Sequence, residues 1–472
     1  MSAALALPAR SGISTPGLLQ RAMATIAALS LLAAAASLWA AAGISDAART
    51  IGHDAEPSVA LGLLMAATLG DLDAASVDDA LTDGGTTFGT SRAFQAGLAD
   101  LSRDLVEAAR NITYGEAEAA PLRDLQRLLL LYEEAVAEAR YIGAGSPALT
   151  AARVEWASRV DRDLAAPQAE ALASANADEL EHRYAAYRAN SGIMGALGVG
   201  AFGLLLAALM ATQVWLARRT RRLVNPPLAL ASLLTAASLL WFAYAVIGER
   251  EDLRAAKNDA YDSLHVLFQA RAAVNTIRAD MSLWLLDPGA RADRRIRMEA
   301  AVKALVGGDI NLAKPASTYP ILAALQEALT LEENGQPKRA LAAAPQLGGL
   351  LGAELGNVTY GVAERSAATD SVERLIDAET VARWVQGQEA SQDHSGAIRR
   401  WLEDGPHGGS VAFAKVQEAI DRTIAVNQTE FDRHVAAALA RAALIPFVTV
   451  GAMALAALLA VAGLWLRLRE YR

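Results

Sequence analysis

Four stretches of this chain, residues 22–44, 191–217, 226–247 and 442–466, contain no Asp, Glu, Lys, Arg or His. Each is close to the roughly 20 apolar residues that a helix needs to cross a bilayer. Arg218, Arg219, Arg221 and Arg222 stand between the second and third stretches. Arg at the bilayer centre is costly, so residues 218–225 form a turn outside the hydrocarbon. Pro226 and Pro227 follow it and suit a helical first turn, where no intrahelical N–H partner is needed. Arg10 and Arg21 precede the first stretch, and Arg467, Arg469 and Arg472 follow the fourth. Because Lys and Arg near spans favour the cytoplasm, both termini (1–21 and 467–472) and the central turn are expected there, in a multi-pass cell-membrane protein. Residues 45–190 and 248–441 are then expected outside. The apolar core at 22–44 is too long for a signal-peptide h-region, although Ala40–Gly43 resembles a cleavage site, so the first stretch reads as a retained span.

The two outer segments carry the polar residues. Segment 45–190 holds 24 acidic and 12 basic residues within a chain of net charge −9, as expected of a solvated domain. The chain has no cysteine, which removes disulfides, thiolate metal sites and lipobox-type lipidation.

Span, outer segment, span, turn, span, outer segment, span is a duplicated order. Asn111-Ile112-Thr113-Tyr114-Gly115-Glu116-Ala117-Glu118 returns as Asn357-Val358-Thr359-Tyr360-Gly361-Val362-Ala363-Glu364, identical at six of eight positions. The second copy lies further from its preceding span, which places an insertion of about 40 residues in the second segment. Leu122, Leu125, Leu129, Tyr132 and Val136 step by three and four, as on one face of a helix. The first segment is expected as helices over 45–73, 92–110, 116–142 and 147–190, kinked at Pro167, with a loop from Asp78 to Thr90. In the second, Leu253, Ala260, Leu267, Val274 and Met281 fall at heptad spacing, with Ala256, Ser263, Ala270, Ile277 and Trp284 in the other core position. Such a seam calls for a partner helix. Asp287-Pro288-Gly289 ends it, and helices over 362–390, 394–403 and 410–442 follow. The fold class is therefore an all-α membrane protein with four transmembrane helices and two extracytoplasmic helical-bundle domains in tandem.

No residue pattern points to catalysis. The six histidines include no pair at i+3 or i+4, and no phosphate-binding Gly-rich loop, Gly-x-Ser-x-Gly or kinase signature occurs. The cytoplasmic parts, of about 20, 8 and 6 residues, are too short to fold into a catalytic domain. The expectation is a protein without enzyme activity, cofactor or metal. Spans without ionisable groups argue against an ion-coupled transporter. Gly192, Ala196 and Gly200, and Ala452, Ala456 and Ala460, offer small-residue packing stripes. The repeated stretches are candidate external contacts through Asn111, Thr113, Tyr114, Glu116, Asn357, Thr359 and Tyr360. Asn, Thr and Gly also explain them as plain helix–turn–helix connections. Candidate cytoplasmic contacts are Arg218, Arg219, Arg221, Arg222, Asn225, Arg467, Arg469, Glu470, Tyr471 and Arg472. The arginines also serve as topology determinants and can attract anionic lipid.

Taken in order, Leu216-Ala217-Arg218-Arg219-Thr220-Arg221-Arg222-Leu223-Val224-Asn225-Pro226, the Asn-Ile-Thr-Tyr stretch, the helix Leu131–Arg140 and the ending Arg469-Glu470-Tyr471-Arg472 resemble one family. It is the four-span membrane protein encoded in actinobacteria beside the glutamine-binding lipoprotein and the soluble serine/threonine protein kinase G. The resemblance covers nearly the whole chain in layout. It implies a relay of amino-acid availability (glutamate, aspartate or glutamine) from an extracytoplasmic solute-binding lipoprotein to a cytoplasmic Ser/Thr kinase. It implies no catalytic residues. The expected partners are these two proteins and the lipid bilayer, with room for a homo-oligomer and no nucleic acid. Two rival readings stay open: a receptor that binds a small molecule directly in a four-helix bundle, and a structural protein of envelope assembly.

Overall fold

The computed structural model describes residues 15–82, 91–142, 146–220, 225–307, 320–336, 339, 342, 347–359, 361–405 and 407–469. Among these residues every regular element is helical. In the first half the helices are α1 (Thr15–Arg49), α2 (Glu56–Leu81), α3 (Arg92–Arg110), α4 (Glu116–Ile142), α5 (Pro147–Arg159) and α6 (Ala166–Thr220). In the second half they are α7 (Pro226–Arg254), α8 (Asp262–Leu286), α9 (Arg291–Val306), α10 (Pro320–Glu333), α11 (Gly349–Asn357), α12 (Val362–Ala390), α13 (His394–Trp401) and α14 (Gly409–Arg469). Three short π-helical segments, Thr50–Ala55, Val160–Ala165 and Ala255–Tyr261, join α1 to α2, α5 to α6 and α7 to α8.

Local chemistry explains most boundaries. Ser91 caps α3 by accepting the Phe94 N–H at 3.2 Å. Glu116 and Glu118 place acid in the first turn of α4, and Leu122, Leu125, Leu129, Tyr132 and Val136 are all buried. Asp287 accepts from the Gly289 N–H at 2.8 Å and stops α8. Two expectations are corrected. The helix read as ending near residue 73 continues to Leu81, because Asp78 and Leu81 are buried against other helices instead of looping into water. Pro167 does not kink a helix; it sits in the first turn of α6, and the irregularity is the π segment just before it.

The chain divides into two units. One comprises Met1–Arg49, His182–Leu253 and Val435–Arg472. It holds the apolar runs of four helices long and apolar enough to cross a membrane. Its interior is aromatic and small: Phe202 and Phe242 pack at 5.6 Å between ring centroids, and Ala33, Ala40, Ala231, Ala456 and Ala460 are buried. Leu31, Leu204, Leu233, Leu240 and Leu458 point outward, as a lipid solvent requires. Ser30, Ser37, Thr235 and Thr449 donate to the carbonyl four residues back at 2.7–2.9 Å, so their hydroxyls need no other partner. The stripe expected from Gly192, Ala196 and Gly200 faces outward; Gly195 and Gly198 are the buried glycines, because their face meets Val246 and Phe242. At the ends of the apolar runs, charged groups satisfy one another: Tyr187 donates to Glu249, Arg250 to the Ser191 carbonyl, and Arg441 to Asp252.

The duplication is visible here. Gly43 and Gly248, 205 residues apart, are both crossed closely by a second helix. A Cβ at Gly43 would lie 2.8 Å from Met194 Sδ, and one at Gly248 2.7 Å from Arg441 Nη1. The same offset relates Arg49 to Arg254, Ser58 to Ser263, and the first π segment to the third.

The other unit comprises Thr50–Glu181 and Arg254–His434. Its two halves have separate cores. Helices α2 to α6 enclose one around Leu69, Leu101, Leu125 and Tyr132. Helices α8 to α14 enclose the other, and Leu267, Ala270, Val274, Ile277 and Met281 of the heptad seam lie in it. Each core borrows one side chain from the other half: Leu283 joins the first and Leu81 the second. The halves meet along α2 and α8, which run side by side in the same direction, as Asn275 to Ala67 and Arg278 to Asp78 show. The two outer segments therefore share one compact unit.

Asp78 ties that interface. Its carboxylate accepts from Ser282 Oγ at 2.5 Å, Ser410 Oγ at 2.5 Å, Arg278 Nη2 at 2.8 Å and Trp401 Nε1 at 3.1 Å. Trp401 is fully buried. Asp78→Ala removes four acceptor contacts and leaves a buried cation, so we expect a loss of about 3 kcal/mol in this unit. Ser410→Ala, which removes one donor, should cost about 1 kcal/mol. Thermal unfolding of the full chain in detergent, with limited proteolysis reporting the polar unit, measures both.

Candidate functional site

The repeated octets close two equivalent connections. Asn111 ends α3 and donates to Ser58 Oγ at 2.7 Å. Asn357 ends α11 and donates to Ser263 Oγ at 2.8 Å and to the Asp259 carbonyl at 2.9 Å. Glu118 Oε2 accepts from the Thr113 and Tyr114 N–H groups at 2.6 and 2.5 Å, and Glu364 Oε2 accepts from the Thr359 N–H at 2.9 Å. Gly115 and Gly361 take φ of +69° and +86°, where a side chain would be strained. The octets thus join their helices through Asn, Gly and the final Glu. Glu118, Glu364, Ser58 and Ser263 were not singled out from sequence; the signal for the two glutamates is their identity at the eighth position of the repeat. Outward remain Ile112, Thr113, Thr359 and Glu116, the last paired with Arg123 at 2.6 Å. Tyr114 is half-buried.

In the membrane unit, Arg218 and Arg219 are exposed at the end of α6, with Arg219 Nη2 3.5 Å from Thr15 Oγ1. Asn225 is buried: it donates to the Gly463 carbonyl at 3.1 Å, and its own carbonyl accepts the Ala229 N–H to start α7. Its side chain thus joins α7 to α14. Arg469 lies over the Trp465 ring at 4.5 Å, and Arg467 is half-buried. Tyr360, Arg221, Arg222, Glu470, Tyr471 and Arg472 lie outside the described residues.

The densest chemistry is one that sequence reading missed, beside the α2–α8 interface. Asp73 on α2, Asp161 on the second π segment and Asp280 on α8 are all essentially fully buried. The cations gather on Asp280. Arg162 Nη1 and Arg294 Nη1 each donate to its Oδ1 at 2.8 Å, and Arg297 Nε to its Oδ2 at 3.0 Å. Arg162 Nε is also held by the Ser158 carbonyl at 3.2 Å. Asp73 receives only Ser158 Oγ, at 2.5 Å on Oδ1, with Arg162 Nε 4.0 Å from Oδ2. Among the described residues neither Asp161 oxygen has a hydrogen-bond partner, and nor does Asp73 Oδ2. A cavity of about 170 Å³ opens here, lined by Asp73, Asp161, Arg162, Glu170, Asn275 and small residues of α2 and α8. Burial holds the Asp161 carboxyl well above the usual carboxylate range, and the Asp73 charge adds to this. Burial also raises Asp73, opposed by Arg162 and by the Ser158 hydrogen bond. No pattern at this spacing could have revealed the site: its acids come from three helical segments far apart in sequence.

Three glutamates of the same unit are shifted upward by burial. Glu56, Glu354 and Glu379 are each raised from the ordinary 4.5 to about 7. An acid with a raised folded pKa holds its proton longer in the folded state. Its contribution is therefore fully present below about pH 4.5 and is lost as pH rises to about 7. We expect the polar unit to melt at a higher temperature at pH 5.5 than at pH 8. Glu354→Gln and Glu379→Gln together should flatten that slope, measured by thermal unfolding across pH in one buffer series.

Residues 47–185 match the sequence model of a family described as the actinobacterial sensor domain. No curated protein and no solved structure matches the chain. The matched stretch runs from the end of α1 into α6 and contains Asp73, Asp161 and the first octet. Four helices of the chain are long and apolar enough to cross a membrane, and the resemblance of residues 47–185 to a sensor domain suggests a signal-sensing role.

Proposed function

We propose that the chain is a transmembrane signal transducer without enzyme activity of its own. The reading is carried by one observation: a sensor-domain match, 47–185, falls mostly on the polar helical unit of a chain that has four membrane-length helices. In this reading the protein sits in the cell membrane with the polar unit outside and both termini inside, as the arginine distribution favours. The resemblance of the turn, the octet and the ending supplies the rest. An extracytoplasmic solute-binding lipoprotein reports amino-acid availability to the polar unit, and a cytoplasmic Ser/Thr kinase receives the output. The turn 218–225 and the residues after 466 carry seven of the nine arginines of the inner face, so Arg218, Arg219, Arg221, Arg222, Arg467, Arg469 and Arg472 are the groups through which a signal leaves. Helices α6 and α14 are unbroken over 55 and 61 residues, so a shift or rotation of either is carried as a rigid-body movement.

The test is a crosslinking pull-down from native membranes, with and without added glutamine or glutamate. A lipoprotein and a kinase should co-purify, at least one of them in an amino-acid-dependent manner. Alanine replacement of the seven arginines should abolish kinase recovery and leave lipoprotein recovery unchanged. Retention of every cytoplasmic partner by that variant would overturn the output half of the reading.

A further inference from the structure

The cavity beside Asp73 and Asp161 is unbalanced in charge. Three guanidinium groups converge on Asp280, and two carboxylates face the cavity with one guanidinium, already committed, between them. Glu170 adds an exposed carboxylate at the rim. The polar amides and hydroxyls of the wall are in use. Asn275 donates to the Ala67 carbonyl at 2.9 Å and accepts from Gln417 through Oδ1, and Thr276 donates to the Ala272 carbonyl at 3.0 Å. Among the described residues three acceptor atoms here remain without a hydrogen bond: Asp161 Oδ1, Asp161 Oδ2 and Asp73 Oδ2. Buried acceptors of this kind are costly unless a donor reaches them. A group with about three N–H donors and no acceptor of its own matches these atoms, and a primary ammonium has that chemistry, its charge favouring the ionised form of both acids.

We propose that this cavity is a binding site for a small molecule carrying a primary ammonium group, held by Asp161 and Asp73 and guided in past Glu170. A volume of about 170 Å³ suits a single small metabolite and not a peptide. Gly70, Ala66, Ala272 and Ala279 keep the walls low where α2 and α8 approach each other. Asp161 sits on a π turn, the type of helix irregularity that recurs at functional sites, and it lines the cavity together with Asp73. Since α2 belongs to one half of the duplicated chain and α8 to the other, a ligand here would bind both halves at once. The assignment does not rest on the lipoprotein or the kinase. It gives the polar unit an input of its own.

The test uses the full chain in detergent, with isothermal calorimetry and thermal shift as readouts. The probes are ethylamine and ethanolamine, the zwitterions alanine and glutamine, tetramethylammonium and calcium chloride. At least one of the two primary-ammonium classes should bind and raise the melting temperature. Binding by the zwitterions alone identifies an amino-acid site; binding by the simple amines as well identifies an ammonium site indifferent to the carboxylate. Tetramethylammonium, which has no N–H, should not bind. Asp161→Asn should weaken binding at least ten-fold, and the unliganded protein should melt no lower than wild type, because an unpaired buried carboxylate has been removed. Ala272→Leu, which fills the cavity from α8, should abolish binding without touching either acid. The proposal fails if no primary ammonium compound binds, if tetramethylammonium or calcium binds equally well, or if Asp161→Asn binds like wild type. A lipoprotein-dependent pull-down that succeeds while these titrations fail would retain the relay and discard this site.

Discussion

A charge buried between helices must find its opposite or lose its charge, and that constraint organises the polar unit. Asp78 and Asp280 each satisfy it by drawing donors from distant parts of the chain. Asp78 collects side chains from α8, α13 and α14, and Asp280 collects arginines from the second π segment and α9. Both lie along the pairing of α2 with α8. The apolar cores of the two halves are separate, so these polar knots do what hydrophobic contact alone does not: they fix which residue of one half opposes which residue of the other. Leu81 and Leu283, each embedded in the opposite core, reinforce the same register.

The duplication explains the frame of the molecule and its asymmetry explains the site. Gly43 and Gly248, Ser58 and Ser263, and the π segments that follow α1 and α7 repeat at one offset. By the octets the offset has grown from 205 to 246, so 41 residues are added somewhere between Ser263 and Asn357. The lengthened stretch also carries Arg294 and Arg297, which take up Asp280. The second π segment belongs to the first half and supplies Asp161. The donors thus gather on Asp280, and the unpaired carboxyl oxygens fall on the Asp73 side.

Much of the architecture was legible in the sequence because it is governed by local or periodic signals. The bounds of α3 and α4 follow from a serine cap, an acidic first turn and a three-four apolar step. The heptad over Leu267, Val274 and Met281 announced partner helices, and these are α9, α11, α12 and α14 in the second core, while α2 packs on α8 through Arg271, Asn275 and Arg278. What stayed hidden has no local signature. A π turn uses the same residue types as an α-helix, so Thr50–Ala55, Val160–Ala165 and Ala255–Tyr261 read as ordinary helix. The stripe of Gly192, Ala196 and Gly200 obeys the right spacing on the wrong face, because the size of Phe242 on the opposing helix decides which small residues are needed. Asp73, Asp161 and Asp280 looked like part of a solvated acidic surface. Only the crossing of helices shows that they are buried.

The membrane runs constrain how any signal can be handled. With no Asp, Glu, Lys, Arg or His in the four stretches, they offer no chain of charged groups, and the hydroxyls of Ser30, Thr235 and Thr449 are closed on their own backbone. Any change of state must therefore pass as movement of whole helices. For such movement to respond to a chemical cue, some part of the chain must change its preferred packing when the cue arrives. A buried pair of carboxylates short of donors does this directly. It disfavours the closed packing of its helices until a cation supplies the missing hydrogen bonds, and differential affinity for two packings is all that a population shift requires. The unsatisfied carboxyl oxygens of Asp73 and Asp161 are thus better suited to detection than the well-capped octets, whose hydrogen bonds leave little to alter.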